Sequence, residues 1–110
     1  MRVVTDATFA DEVLLSPTPV LVDFWADWCP PCRPMARTLE SLEPSFTGRV
    51  VFAKINADEN PSLTRDYRVM SMPTLLLFES GRPTLTIVGA RPAAQLRAAL
   101  TNALEPYVNR

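Results

Sequence analysis

Trp28-Cys29-Pro30-Pro31-Cys32, directly behind the run Val20-Leu21-Val22-Asp23-Phe24-Trp25, holds both cysteines of the chain, two residues apart. The run is almost continuously apolar, as expected of a strand covered on both faces. Proline is tolerated in the first turn of a helix, where amide hydrogens lack partners, so Pro30 and Pro31 place Cys29 at or just before a helix N-terminus. Two cysteines at this spacing fit across one helical turn. One sulfur can then attack an outside disulfide while the other resolves the mixed disulfide. A thiolate at the first position is favoured by free backbone donors and the positive end of the macrodipole.

Structural, metal-binding and inert roles fit the pair less well. A structural disulfide closing so short a loop removes little unfolded-state entropy, and a chain of this size can build a core without it. Zinc needs four ligands, whereas the chain has no histidine and no third cysteine. Only a dimer sharing two pairs could complete a tetrahedral site. Inert buried cysteine is hard to reconcile with a preceding tryptophan and two following prolines, which belong to helix-start chemistry. A redox-active dithiol in a strand-helix context remains.

Working outward, 110 residues that are 47% hydrophobic suit one compact domain over residues 1–110 and leave no room for a second. The net charge of −1 is scattered, so neither nucleic acid nor an anionic membrane is an expected partner. No apolar run approaches a membrane span, and Met1-Arg2 leads within two residues into an apparent first strand without a signal-peptide core. The expected location is cytoplasmic, where a cysteine pair is more often catalytic than structural. Lys54 is the only lysine among many arginines. That bias reads as composition, and it draws attention to where Lys54 stands.

Segments of two periods alternate along the chain. Thr8 with Asp11 predicts a capping box opening a short helix through Leu15, ended by Pro17-Thr18-Pro19. Met35, Leu39, Leu42 and Phe46 give helical spacing from the cysteine pair to about Phe46, and Gly48 closes that helix. Val50 to Asn56 reads as a buried strand, and Asn60-Pro61 as the cap of a short helix through Tyr67. Thr74 to Phe78 is a strand, Ser80-Gly81 a tight turn, and Leu85 to Val88 a further strand. Pro92 begins a last helix with Leu96, Leu100, Ala103 and Leu104 inward. The expected product is an α/β domain with a central mixed β-sheet flanked by helices on both faces.

Four stretches carry a resemblance: Phe24-Trp25-Ala26-Asp27-Trp28-Cys29-Pro30-Pro31-Cys32-Arg33, Lys54-Ile55-Asn56-Ala57-Asp58, Met72-Pro73-Thr74-Leu75-Leu76-Leu77-Phe78 and Val88-Gly89-Ala90. In this order and at these separations they are far more specific than a lone cysteine pair. Over essentially its whole length the chain resembles the thioredoxin family. The resemblance implies the thioredoxin fold and a general protein-disulfide reductase with a redox-active Cys29–Cys32 disulfide. It also implies recharging by a thioredoxin reductase, so NADPH and FAD would belong to that partner and this chain would bind no cofactor. A monomer acting on disulfide-containing proteins is expected. A specialised reductant, an oxidase or isomerase of the same fold, and a non-redox binding subunit or holdase are the alternatives.

The family's roles fall on matching residues. Cys29, beside Trp28, would be the nucleophile and Cys32 the resolving thiol. Asp23 breaks an apolar strand, where a carboxylate is costly unless paired or protonated. It is either a partly solvated strand-end residue or, as the resemblance implies, the general base for Cys32, acting through a water with a pKa raised by burial. Lys54 is either a snorkelling side chain or the modulator of Asp23. Pro73 matches the family's cis-proline, which would expose the Met72 backbone as an edge for a substrate strand. Trp28, Pro31, Met72, Pro73, Gly89 and Ala90 would form the apolar rim around Cys29, with Gly89 allowing close approach of a backbone. Trp25 is expected in the core or just behind the site, and Met70 either joins the adaptable surface or fills core.

The sequence also departs from the family. Pro30-Pro31 replaces the usual Gly-Pro, so these two prolines are expected to tune the redox couple. Arg37 stands where the family has a helix-kinking proline. With Cys29 as N-cap, Pro34 would lie just past the tolerated first turn and bend the helix near the site. Arg68 and Ser71 occupy positions where glycines are common.

Overall fold

The computed structural model describes residues 1–105. At its centre lies β2 (Val20–Trp25), with β3 (Val51–Asn56) and then β1 (Arg2–Val3) on one side, and β4 (Thr74–Glu79) and then β5 (Arg82–Val88) on the other. β1, β3 and β2 run parallel, whereas β4 is antiparallel to β2 and β5 to β4. The helices are α1 (Cys32–Leu42), α2 (Pro61–Asp66) and α3 (Ala93–Leu104). This is the mixed sheet expected from the sequence.

Side chains alternate across a strand, so β2 feeds two cores. Val20, Val22 and Phe24 pack on one face with Phe9, Val13 and Leu63. Leu21 packs on the other with Met35, Leu39 and Leu42 of α1 and Leu96 and Leu100 of α3. Each such side chain, fully buried, contributes roughly 1.5–3 kcal/mol. Asp23 shares the strand parity of Leu21, so the same alternation that builds the core turns a carboxylate toward the α1 face.

Several boundaries differ from expectation, each for a local reason. The capping box at Thr8 and Asp11 does not form. Thr8 Oγ1 instead accepts from the Thr5 amide at 3.0 Å, and the segment Ala10–Leu14 winds as a π-helix without a side-chain cap. α1 begins at Cys32 with Pro31 as N-cap, so Cys29 sits in the preceding turn, where its carbonyl accepts from the Cys32 amide at 3.2 Å. Pro34 therefore falls inside the first turn, whose amides have no intrahelical partner, and the expected cause of a bend is absent. α1 stops at Leu42, and Glu43–Phe46 tightens into a 3₁₀ turn because Pro44 cannot donate the next helical bond.

Asn60 precedes α2 but does not cap it with its side chain. Its Oδ1 accepts from the Asp6 amide at 2.8 Å, and Asp6 Oδ1 accepts from the Leu63 amide at 3.1 Å, so the cap comes from a distant loop. β5 starts at Arg82, earlier than expected, because Pro83 is accommodated on an edge strand at a register shift opposite Leu77 and Phe78. Ser80 and Gly81 both take positive φ, 53° and 78°, as a two-residue hairpin turn of this hand requires.

Candidate active site

β2 ends at Trp25, and the chain turns through Ala26-Asp27-Trp28 into the cysteine pair. The Cys29 amide donates to the Ala26 carbonyl at 3.2 Å, which holds this turn against the strand end. Cys29 and Cys32 form a disulfide with a Cα–Cα distance of 5.4 Å. Both are buried, 4% and 2% exposed, so exposure scarcely distinguishes them. Their surroundings do. Cys32, and not Cys29, lines a cavity of about 170 Å³ together with Asp23, Trp25, Asp27, Arg33 and Lys54. That volume has room for water, and charged side chains stand within its mostly apolar lining.

Asp23 is 1% exposed, and neither carboxylate oxygen has a hydrogen-bond partner among the described residues. Burial pushes its pKa up to about 7, against the opposing pull of the Lys54 charge. The strand-end, partly solvated reading of Asp23 is thereby overturned. Lys54 is half-buried on β3, opposite Asp23, and its Nζ lies 5.9 Å from the centre of the Trp25 ring. Trp25 in turn packs behind Ala26, Cys29 and Cys32. Among the described residues no group of three or more His, Cys, Asp or Glu side chains is placed to hold a metal ion.

The opposite wall comes from the β4 approach. Met72-Pro73 is a cis peptide, and Met72 packs against Ala26, Cys29 and Cys32. The Gly89 amide donates to the Pro73 carbonyl at 2.8 Å, which draws the Val88-Gly89-Ala90 turn beside this loop. Gly89 has φ +91°, a conformation that excludes most side chains, and Ala90 follows it at the exposed end of the turn. Pro30, Pro31 and Trp28 are exposed around Cys29, Trp28 by 62%. Met70 is 92% exposed, so it does not fill core.

Two further features shape the site. Trp28 Nε1 donates to Asp58 Oδ2 at 2.8 Å, and Asp58 is positioned by its own amide donating to Asn56 Oδ1 at 3.0 Å. The Asn56-Ala57-Asp58 spacing is that of an Asx turn and could have been recognised as such. Asp27 and Arg33 also line the cavity beside Cys32. Nothing in periodicity marks them, because both stand in or next to the turn.

A family model described as Thioredoxin matches residues 1–102. The thioredoxin of Alicyclobacillus acidocaldarius subsp. acidocaldarius is 46% identical over 101 residues, covering 92% of this chain and 95% of its own. Thioredoxin 1 of Synechococcus elongatus is 45% identical over 105 residues, covering 96% of this chain and 94% of its own. The bifunctional thioredoxin reductase/thioredoxin of Mycobacterium leprae is 44% identical over 106 residues, which are 96% of this chain and 23% of that protein.

Proposed function

The chain belongs to the thioredoxin family and is a dithiol–disulfide oxidoreductase, and we propose that Cys29 is its nucleophile, Cys32 its resolving thiol and Asp23 the base that serves Cys32. The observation that carries this division is the cavity that joins Cys32, not Cys29, to the buried carboxylate.

In the reduced protein the Cys29 thiolate attacks one sulfur of a partner disulfide. A new S–S bond forms, the partner's S–S bond breaks, and one partner thiolate leaves. The Cys32 thiol then gives its proton through cavity water to the Asp23 carboxylate. Its thiolate attacks Cys29 Sγ, closes the Cys29–Cys32 disulfide and releases the second partner thiolate. Two electrons pass to the partner. A carboxylate titrating near 7 is matched to accepting that proton at neutral pH. Lys54 biases Asp23 by its charge, and Trp28, Pro31, Met72, Pro73, Gly89 and Ala90 form the surface on which the partner's chain lies. Pro30 and Pro31 set the stiffness of the turn between the sulfurs.

The same proposal makes the chain a single domain and a monomer that binds no cofactor of its own. Disulfide-containing proteins are its oxidised partners. A thioredoxin reductase is its electron donor, with FAD and NADPH on that enzyme, and the fused relative in Mycobacterium leprae supports the pairing. No helix among the described residues is long and apolar enough to cross a membrane. The cytoplasm, the dithiol's expected compartment, is where we place it, with neither nucleic acid nor membrane as partner.

Trapping tests the division of roles. With insulin as substrate, Cys32→Ser should accumulate a mixed disulfide through Cys29, and Cys29→Ser should accumulate none. Equal trapping by both variants would reverse or dissolve the assignment.

A further inference from the structure

Oxidation of the dithiol frees a proton that has to leave the protein. In the proposed reaction Cys32 passes it to Asp23, which is 1% exposed and cannot exchange it with bulk water directly. The partner thiolates depart on the Cys29 side, and Cys29 does not line the cavity that holds Asp23 and Cys32. The proton therefore travels through that cavity, outward in this half of the cycle and inward when the dithiol is restored.

The charged lining of the cavity is Asp23 on β2, Lys54 on β3, Arg33 on α1 and Asp27 in the turn between β2 and the cysteines. Asp27 and Arg33 are exposed, so they mark its mouth. A guanidinium keeps its proton in a protein and cannot relay one. The Lys54 ammonium is drawn toward Trp25, with Nζ 5.9 Å from the ring centre, on a half-buried side chain. Asp27 is left as the exposed group that can both take up and return a proton. Arg33 lines the same cavity, yet no salt bridge joins the two among the described residues, so that cation does not hold the carboxylate. The backbone of the turn is held on both sides of Asp27. The Trp25 carbonyl accepts from the Ala57 amide at 2.8 Å, and Trp28 Nε1 donates to Asp58 Oδ2 at 2.8 Å.

We propose that Asp27 is the proton relay of this site, carrying the Cys32 proton between the Asp23 carboxyl and bulk water. On the way out the O–H bond of Asp23 breaks, cavity water hands the proton to the Asp27 carboxylate, and Asp27 releases it to solvent. No electrons move in this step. When the dithiol is restored, the same groups return a proton to Cys32 Sγ. Asp27 acts through Asp23 and not on the reacting sulfurs, which makes it a positioning residue. The inference rests on the proposed role of Asp23 as the base for Cys32.

Asp23 titrates under burial and the Lys54 charge, so a change at Asp27 separates the rate of proton exchange from the midpoint. Carboxyl NMR of the oxidised protein reads both, the midpoint from the shift and the rate from the broadening of the Asp23 resonance. Asp27→Asn should keep the midpoint and slow exchange by about 10-fold or more, since water alone is a poorer relay than a positioned proton-transfer group. Asp27→Glu should exchange as the wild type does, and added formate should restore the rate in Asp27→Asn. Arg33→Gln, at the same mouth, should keep the wild-type rate. A wild-type rate in Asp27→Asn would overturn the relay, because water would then suffice. Equal slowing in Asp27→Asn and Arg33→Gln, or slowing that neither glutamate nor formate restores, would overturn it too, by assigning the rate to the shape of the mouth. Resolution of the mixed disulfide by Asp23→Asn at the wild-type rate would instead overturn Asp23 as the base, whatever Asp27 exchanges.

Discussion

Asp23 and Lys54 are register partners across the parallel β2–β3 ladder, yet no salt bridge joins them. The ammonium lies near the Trp25 ring, and both Asp23 oxygens remain without hydrogen-bond partners among the described residues. An acid held in this way is dominated by desolvation, with the lysine as an opposing influence. The result is a base tuned to neutrality in the middle of a core strand, at a cost in stability once it ionises.

That cost has a defined pH window. Asp23 has a folded-state pKa of about 7, raised from 3.8. Well below 3.8 it is neutral in folded and unfolded chains alike. Between the two values the unfolded chain ionises while the folded one resists, so stability falls as pH rises, and above about 7 the penalty is complete. Asp23→Asn should therefore match the wild type near pH 3 and exceed it at pH 8 by on the order of 4 kcal/mol, at 1.36 kcal/mol per unit. Urea unfolding at the two pH values checks this. A stability difference independent of pH would mean that Asp23 does not ionise as described.

Lys54→Met should move the Asp23 titration further upward, since the lysine charge that favours the carboxylate is removed. The pH profile of mixed-disulfide resolution should shift upward with it, while capture of substrate by Cys29 stays unchanged. Carboxyl NMR titration of the oxidised protein reads the first effect and single-turnover kinetics the second. A titration that does not move would reduce Lys54 to a stem covering apolar surface.

Much of this arrangement is legible in the residues. The near-continuous apolar stretches Val20 to Trp25 and Thr74 to Phe78 mark strands buried on both faces, and the charges at Asp23 and Lys54 stand out because they interrupt such strands. Legibility ends where a long-range contact decides. The cap on α2 comes from Asp6, more than fifty residues away, and displaces the local role expected of Asn60. The start of α1 depends on where Pro31 and Pro34 share the first turn, which spacing leaves open by a few residues. The Trp28–Asp58 bond joins two loops whose approach only the assembled sheet determines.

Pro30 lies exposed in the turn between the sulfurs and has no amide to offer Cys29. Pro30→Gly adds a donor that can stabilise the thiolate and enlarges the conformational freedom of the open dithiol loop, which raises the entropy lost on closing it. Both effects favour the reduced form. The reduction potential should rise by tens of millivolts at most, where 30 mV corresponds to about 1.4 kcal/mol. Equilibration of both forms with glutathione measures it, and an unchanged or lower potential in the glycine variant would show the sign to be wrong.

Arg68 holds the left-handed position that ends α2, with φ 55°. An L-residue with a Cβ loses roughly 1–2 kcal/mol there relative to glycine, whereas glycine brings more unfolded-state entropy and returns part of the gain. Arg68→Gly should therefore stabilise the fold by about 1 kcal/mol, which for a domain of this size is a rise of roughly 4–8 °C in Tm. Arg68→Ala separates the causes, because it removes the same charge and stem but keeps a Cβ in the strained conformation. Glycine should be the more stable of the two. If alanine stabilises equally, the gain comes from removing the guanidinium next to Arg65, and the backbone at residue 68 carries no strain worth relieving.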